Sequence, residues 1–226
     1  VATRQQIVEL VSARIQAHYV FPEIANQVAE ALNANLQSNR YAPVTQAPAF
    51  AEQLTQDLRA ITHDKHINVS YVADPLPERP PGAERPTPEE LAQLRQQMEK
   101  ENFGVARVEC LPLNIGYIDL RYFGDLAWVA ETITAAMTLI AHTDALIVDL
   151  RQNGGGDPNT VAFMTSYLLD ERTHLNSFYL RQGDRIEQFW TQEWVPGKRF
   201  GQHKPVYVLT ANFTFSGAEE FSYNLK

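Results

Sequence analysis

Apolar residues recur at helical spacing through the first sixty residues of the chain. They mark one face of each of three predicted helices: Ile7, Leu10, Val11 and Ile15 on the first, Ile24, Val28, Ala31 and Leu32 on the second, and Phe50, Leu54, Leu58 and Ile61 on the third. Spacings of three and four residues place such side chains on the same side of a helix. We therefore expect a small helical N-terminal domain over residues 1–62, with its second helix over residues 22–37.

The apolar pattern changes to alternation over residues 67–72, where β-branched residues favour a β-strand. Directly before this run stands the segment His63-Asp64-Lys65-His66. We expect residues 63–73 to form a strand that carries histidines at its start. Two histidines in one loop, without a partner cluster elsewhere, are a poor zinc signature, so we expect neither a metal nor a cofactor.

Six of the thirteen prolines of the chain lie between residues 74 and 88. A segment of this composition, rich in proline, glutamate and arginine, cannot bury enough apolar surface to pack a core. Charged residues then surround Leu91, Leu94 and Met98, which recur at helical spacing. Residues 74–100 are therefore predicted to form a mobile linker or flap followed by a charged helix.

Predicted strands and helices alternate from residue 101 onward. The strands are expected near residues 104–111, 115–120, 145–150 and 206–209, the helices over 126–142, 159–169 and after Ser216, and a hairpin over 177–180 and 185–190. This order favours an α/β fold with parallel strand pairs, with residues 101–226 as its core. The helical pattern after Ser216 continues to Lys226, so we expect the sequence to be part of a longer chain.

The composition is that of an ordinary globular protein, with 44% hydrophobic and 20% charged residues. A formal net charge of −8 argues against nucleic-acid binding, which draws its affinity from a basic surface. No apolar run approaches the roughly 20 residues of a transmembrane helix, so no integral membrane segment is expected. Cys110 is the single cysteine and excludes an intrachain disulfide. Because the chain begins with Val1, we expect an N-terminal segment to have been removed.

Two segments that follow predicted strands carry the candidate chemistry. The first ends in Gly154-Gly155-Gly156, and the second contains Ser216 and Gly217. Consecutive glycines allow positive φ angles and turn backbone N–H groups toward a ligand. A serine in the first turn of a helix lies near the positive end of the helix dipole. We therefore expect Ser216 to be the nucleophile of a hydrolase, with oxyanion donors in Gly217 and in the loop of Gly154 and Gly155.

Simpler interpretations of both segments stay open. Ser216 is also a good helix N-cap, with Glu219 at the capping-box position, and the local pattern alone favours this structural role. The glycines can form a phosphate-binding loop or a tight turn, although the Lys-Ser/Thr continuation of a P-loop is lacking. Asp149 and Arg151 are expected to anchor the glycine loop through salt bridges. Pattern alone marks none of the six histidines as a general base.

The order of five motifs, however, resembles a known family. The motifs are Tyr19-Val20-Phe21-Pro22, His63-Asp64-Lys65-His66-Ile67, Asn114-Ile115-Gly116-Tyr117-Ile118 with Phe123, the run from Ala145 to Gly156, and Val206 to Thr210 with Thr214 to Phe221. Together they span nearly the whole chain and are similar to the tail-specific, or C-terminal processing, serine peptidases. The closer resemblance is to the branch that shares its fold with interphotoreceptor retinoid-binding protein modules and the tricorn core.

This resemblance implies a crotonase-like ββα core with a helical cap domain, and a nucleophile at the position of Ser216. The processing peptidases use a lysine well after the serine as the base, and Lys226 is too close to the serine to match it. The tricorn-like branch uses an upstream histidine, which His66 matches, oriented by a downstream glutamate. We therefore expect a His66–Ser216 pair, with the third catalytic residue beyond Lys226.

Two functions from different classes follow from the resemblance. The first is a serine endopeptidase that cleaves polypeptides through an acyl-enzyme. The second is a non-catalytic carrier of a hydrophobic small molecule, with a site lined by six aromatics: Phe178, Tyr179, Phe189, Trp190, Trp194 and Phe200. These aromatics also fit cross-strand pairs and core positions.

The co-occurrence of Ser216, His66 and the glycine loop favours the enzyme, since a carrier has little use for them. An inactive interaction module in a larger assembly is a third interpretation, without positive support from the sequence. A polypeptide partner and a periplasmic or secreted location are implied by the resemblance, and the oligomeric state stays open.

Overall fold

The computed structural model describes residues 3–74 and 86–226. Within these residues the chain forms helices α1 (Arg4–His18), α2 (Pro22–Gln37), α3 (Ala47–Thr62), α4 (Pro88–Lys100), α5 (Leu126–Ile140), α6 (Pro158–Thr165) and α7 (Gly217–Asn224). Its strands are β1 (Val105–Leu111), β2 (Ile115–Leu120), β3 (Ala145–Asp149), β4 (His174–Leu180), β5 (Arg185–Trp190) and β6 (Val206–Leu209). Most of the predicted proline-rich linker, residues 75–85, lies outside the described residues.

The chain divides into two compact units, each with its own core. The N-terminal unit comprises the described residues of 1–82 together with 179–186, and the C-terminal unit comprises those of 83–178 together with 187–226. The first core is built from α1, α2 and α3, around the almost fully buried Leu32, Leu54 and Leu58. The predicted small helical N-terminal region is therefore confirmed.

The buried face of α1 differs in part from the predicted one. Ile7, Val11 and Ile15 pack against the core as expected, but Val8 is fully buried, whereas Leu10 is 62% exposed. Val8, Val11 and Ile15 follow each other at steps of three and four, so they share one side of the helix. Leu10 lies two residues, or about 200° around the helix, from Val8. The prediction for Leu10 was therefore wrong.

The strand predicted over residues 67–72 does not form within the part of the chain that the structure describes. The segment is extended, but its polar groups bond to side chains of α3 instead of to a neighbouring strand. The Val69 N–H donates to Oγ1 of Thr55 at 2.8 Å, and Nε of Arg59 donates to the carbonyl of Ile67 at 2.8 Å. Alternation arises here because Ile67 and Val69 pack against the helical core.

Four strands form the main sheet of the C-terminal unit, in the order β1-β2-β3-β6. β1 and β2 are antiparallel, and β2, β3 and β6 are parallel to one another. One face of the sheet packs on α5. On the strands, the buried residues of this face alternate along the chain: Ile118, Leu120, Leu146 and Val148. On α5, the buried residues recur at helical spacing: Val129, Ile133 and Met137. The predicted mixed α/β class with a sheet core is confirmed.

Helix α6 ends at Thr165, four residues before the predicted end at Leu169. Beyond the end of the helix, the carbonyl of Tyr167 accepts from the N–H groups of Phe200 and Gly201 at 2.8 and 3.1 Å. A tertiary contact of this kind leaves no signal in the local pattern. The predicted hairpin is present as β4 and β5, with β4 starting at His174.

Candidate active site

Loops that follow β2, β3 and β6 meet at one edge of the sheet. Because β3 and β6 are adjacent and parallel, the segments after them leave the sheet at the same edge. The backbone N–H of Leu150 donates to the carbonyl of Leu209 at 2.9 Å. From the loop after β2, the N–H of Phe123 donates to the carbonyl of Gly155, also at 2.9 Å. The glycine loop and the segment that carries Ser216 therefore lie at a shared edge.

Ser216 occupies a strained turn directly before α7. Its φ of 53° and ψ of −123° belong to a region that residues with a Cβ rarely adopt. Such strain costs about 1–3 kcal/mol and persists where surrounding contacts impose it. Here the Ser216 N–H donates to a carboxylate oxygen of Glu219 at 3.1 Å, and its carbonyl accepts from the Glu220 N–H at 2.9 Å. Both peptide groups of the serine are thus held by the first turn of the helix.

Gly155 lies against the serine so closely that no side chain fits between them. A Cβ atom at Gly155, whose φ is +105°, would lie 2.7 Å from the Cβ of Ser216 and 2.8 Å from the backbone nitrogen of Gly217. The N–H of Gly155 already donates to Oδ1 of Asn153 at 2.8 Å. Gly155 therefore contributes close approach to the serine, but its N–H, which was expected to be an oxyanion donor, is already bonded within the loop.

Three other N–H groups of the glycine loop and the serine turn have no hydrogen-bond acceptor within the part of the chain that the structure describes. They belong to Gly154, Gly156 and Gly217. Gly217 is buried, and a Cβ atom on it would lie 3.2 Å from the backbone nitrogen of Gly156. Unpaired backbone donors that converge on one place form an anion-binding site. The N–H groups of Gly156 and Gly217, which lie close to each other, are therefore candidate donors for a negatively charged oxygen beside Ser216.

Asn153 organises the glycine loop, a role that the sequence analysis did not assign. The side chain is fully buried, and its Nδ2 donates to the carbonyl of Leu120 at 3.0 Å while its Oδ1 accepts from Gly155. Its backbone carbonyl accepts from the Phe215 N–H at 3.2 Å, which joins the glycine loop to the serine turn. The available signal was an asparagine directly before three glycines, a residue type that often bonds to the backbone two residues on.

Thr214 joins the serine turn to the end of β3. Its side chain is buried, and Oγ1 donates to the carbonyl of Leu150 at 2.8 Å while accepting from the Ala211 N–H at 2.9 Å. One hydroxyl thus serves as both donor and acceptor in a buried position. This contact was also missed, because it joins residues 64 positions apart.

Asp149 and Arg151 form an ion pair with each other at the end of β3, and their predicted contact with the glycine loop stays a prediction. Nη2 of Arg151 lies 2.6 Å from Oδ2 of Asp149, and the Arg151 N–H donates to Oδ1 at 3.0 Å. The hydroxyl of Tyr117 donates to the same carboxylate at 2.7 Å. Hydrogen bonds from Arg151, with a smaller contribution from Tyr117, hold the pKa of the buried Asp149 carboxyl well below its usual range.

His66 belongs to the N-terminal unit and Ser216 to the C-terminal one. Nδ1 of His66 lies 2.8 Å from Oδ1 of Asp64, and the His66 N–H donates to the same oxygen at 2.9 Å. His63 has a different role: it ends α3 with φ of 53°, and its N–H donates to the carbonyl of Arg59. The His66–Ser216 pair stays a prediction, and Asp64 is the carboxylate that orients the His66 ring.

The six aromatics proposed for a carrier site lie in different environments. Phe178 and Phe189 face each other across the hairpin with ring centroids 4.9 Å apart. Phe200 is buried in the core of the C-terminal unit, whereas Trp194 is 73% exposed. These positions fit cross-strand pairs, core and surface, in agreement with the simpler interpretation of the aromatics.

A serine on a strained strand-to-helix turn, beside backbone N–H groups without acceptors, is the arrangement with which serine hydrolases attack a carbonyl and hold the oxyanion. Here it lies on a mixed α/β fold, at the ends of neighbouring parallel strands. Site and fold together are typical of a serine-hydrolase class of protein.

Family models match both parts of the chain. Residues 114–226 match peptidase family S41, and residues 2–108 match the N-terminal domain of peptidase S41 in eukaryotic IRBP, the interphotoreceptor retinoid-binding protein. The chain therefore belongs to peptidase family S41, a family of serine peptidases whose substrates are polypeptides. The resemblance seen in the five motifs is confirmed.

Solved structures of similar proteins include peptidases of this family. A putative peptidase from Parabacteroides merdae is 17% identical, with 100% of this chain and 72% of its own covered at a TM-score of 0.55, which supports the fold. The photosystem II D1 C-terminal processing protease is 25% identical over 49% of this chain, at a TM-score of 0.40. The tricorn protease is 19% identical over 58% of this chain, at a TM-score of 0.29. The chain spans 27% of the processing protease and 10% of tricorn.

Proposed function

We propose that this chain carries the nucleophile and the oxyanion hole of a serine endopeptidase that cleaves polypeptides through an acyl-enzyme. The single observation that supports it most is the strained backbone of Ser216 beside the N–H groups of Gly156 and Gly217, which have no acceptor among the described residues. A helix cap alone does not require a strained serine, because common N-caps have extended backbones. Strain of this kind is typical of functional residues.

In the proposed reaction, Oγ of Ser216 attacks the carbonyl carbon of the scissile peptide bond as its proton passes to a general base. The carbonyl oxygen becomes negatively charged and accepts hydrogen bonds from the N–H of Gly217 and from that of Gly154 or Gly156. Collapse of the intermediate breaks the C–N bond, and the leaving amine takes the proton. Water then attacks the acyl-enzyme in the same manner and releases the acid.

His66 is the proposed general base, on the strength of its match to the upstream histidine motif of the tricorn-like branch. The contact between its Nδ1 and Asp64 supports this choice, because a carboxylate on one ring nitrogen fixes the orientation and tautomer of the imidazole. We propose Asp64 as an orienting group in addition to any acid supplied from beyond Lys226.

The carrier function is the second candidate, and one observation favours it: the match of residues 2–108 to the N-terminal domain found in IRBP. The scattered environments of the six aromatics speak against it. A location outside the cytoplasm, periplasmic or secreted, is proposed on the resemblance alone. No helix among the described residues is long and apolar enough to cross a membrane.

Labelling of the full-length natural protein with a fluorophosphonate tests the proposal. Such a probe reacts with a serine only when the base and the oxyanion hole are assembled. We expect labelling of the wild type, none of Ser216→Ala, and a rate lower by about a hundredfold or more for His66→Ala. Ser222→Ala, on the same helix, is the matched control and is expected to label normally. A well-folded wild type that does not label would move the carrier to first place.

A further inference from the structure

The two glutamates that follow the candidate nucleophile have different environments. Glu219 is exposed and caps the Ser216 N–H through its carboxylate. Glu220 is half-buried and lies four residues after Ser216, so it projects from nearly the same side of α7. From their positions in the sequence alone, both carboxylates would act only as favourable charges at the helix N-terminus. For Glu220 the structure shows a specific partner instead.

That partner is Asn176, in the middle of β4. Its Nδ2 donates to Oε1 of Glu220 at 2.6 Å, across 44 residues of sequence. The Oδ1 of Asn176 is buried and has no hydrogen-bond partner among the described residues. The hydrogen bond to Glu220 therefore offsets part of the free energy that the Asn176 side-chain amide loses when it is removed from water. Burial raises the pKa of the Glu220 carboxyl above its usual value, and the side-chain amides of Asn176 and Asn224 partly oppose this.

Glu220 is also the residue whose backbone holds the serine carbonyl. Its N–H donates to the carbonyl of Ser216 at 2.9 Å, while its side chain is tied to β4. Movement of the first turn of α7 would therefore change the ψ angle of Ser216. Because ψ of Ser216 lies in a strained region, the turn has no intrinsic preference for this geometry. The bond between Glu220 and Asn176 ties this turn to β4, in addition to the contacts of Glu219 and Gly155.

We propose that Glu220 is a positioning residue for Ser216, and that its hydrogen bond to Asn176 fixes the first turn of α7 and thereby the direction of the serine hydroxyl. This inference rests on the proposed function. Glu220 contacts neither the substrate nor the reacting atoms in this proposal; it acts through the backbone of Ser216. A displacement of the nucleophile by a fraction of an ångström reduces the rate of attack much more than it reduces the stability of the fold.

The test compares four variants of the full-length protein by their second-order rate of fluorophosphonate labelling. Glu220→Ala and Asn176→Ala each remove the bond, and we expect the rate to fall about tenfold or more. Glu220→Gln keeps an oxygen that accepts from Asn176, so its rate is expected to stay within about threefold of wild type. The double variant Glu220→Ala/Asn176→Ala is expected to be no slower than either single variant, because both remove the same contact.

A peptide substrate and a denaturant titration separate positioning from a general loss of structure. With a peptide, kcat is expected to fall in Glu220→Ala while KM stays near the wild-type value. Ser222→Ala is the control for a polar side chain removed from α7. Glu220→Ala that labels at the wild-type rate would overturn the inference and leave the proposed function standing. A folded wild type that does not label would remove the proposed function, and the inference with it.

Discussion

The backbone of Ser216 shows how a single residue can be held in a conformation that it does not favour. Its N–H bonds to the carboxylate of Glu219, and its carbonyl bonds to the N–H of Glu220. Its Cβ lies against Gly155. The residue types of the turn could be predicted, because a serine and a glycine between a strand and a helix are visible in the sequence. The φ angle could not, since it results from contacts with a loop sixty residues away.

Replacement of Ser216 tests this strain directly. Glycine adopts positive φ without a penalty, whereas alanine retains the Cβ. We expect Ser216→Gly to have a free energy of unfolding about 1 kcal/mol higher than that of Ser216→Ala, although both lack the hydroxyl. Urea denaturation followed by circular dichroism measures the difference. Equal stabilities of the two variants would show that the turn is not strained.

The helices and strands were predicted best where a single hydrophobic periodicity, either helical or alternating, extends over the whole segment. The bounds of α2, β2 and β6 are those predicted from the apolar pattern. The extended segment at 67–72 was misread because alternation reports burial on one side, and a helix can supply that burial as well as a sheet can. Long-range contacts, such as those of Asn153 and Thr214, left no periodic signal at all.

The isolated bridge between the loop after β2 and the glycine loop is the element most sensitive to a small substitution. A Cβ atom on Gly156, whose φ is +144°, would lie 1.8 Å from the carbonyl oxygen of Phe123. We expect Gly156→Ala to cost more than about 4 kcal/mol, because the backbone must separate there.

Gly183→Ala is the matched control for Gly156→Ala. Gly183 also has positive φ, +87°, but no atom lies within 4 Å of its Cβ position. Its cost is expected to be only about 1–2 kcal/mol, from the left-handed conformation itself. Thermal or urea unfolding of both variants measures the contrast. Similar losses at the two positions would contradict the steric explanation.

At the scale of the whole molecule, two carboxyl groups of the C-terminal unit affect stability with opposite signs. The folded-state pKa of Asp149 is below its unfolded value, so its contribution is present above about pH 4 and is lost as the pH falls. The folded-state pKa of Glu220 is above its unfolded value of about 4.5. The folded state therefore loses stability as the pH rises from the unfolded pKa to the raised folded-state pKa.

Asp149→Asn and Glu220→Gln are therefore expected to change the pH dependence in different directions. Asp149→Asn lowers the free energy of unfolding near pH 7 and has less effect near about pH 3, which flattens the acid side of the profile. The change that Glu220→Gln makes to the free energy of unfolding is expected to be more favourable near pH 7 than near about pH 4. Urea titrations across this range measure both. Parallel profiles for wild type and variants would contradict the assignment.

The glycine loop also bears on how this protein could be redesigned. Gly155 and Gly156 are closed to every side chain, whereas a Cβ on Gly154 would only touch the ring of Phe213 at 3.8 Å, an ordinary contact. The three consecutive glycines thus differ in how well they tolerate substitution. A randomised library would recover variants at the first glycine and lose them at the other two. Gly154 is accordingly the position of this loop where we expect a new side chain to be accepted without displacing Gly155 or Gly156.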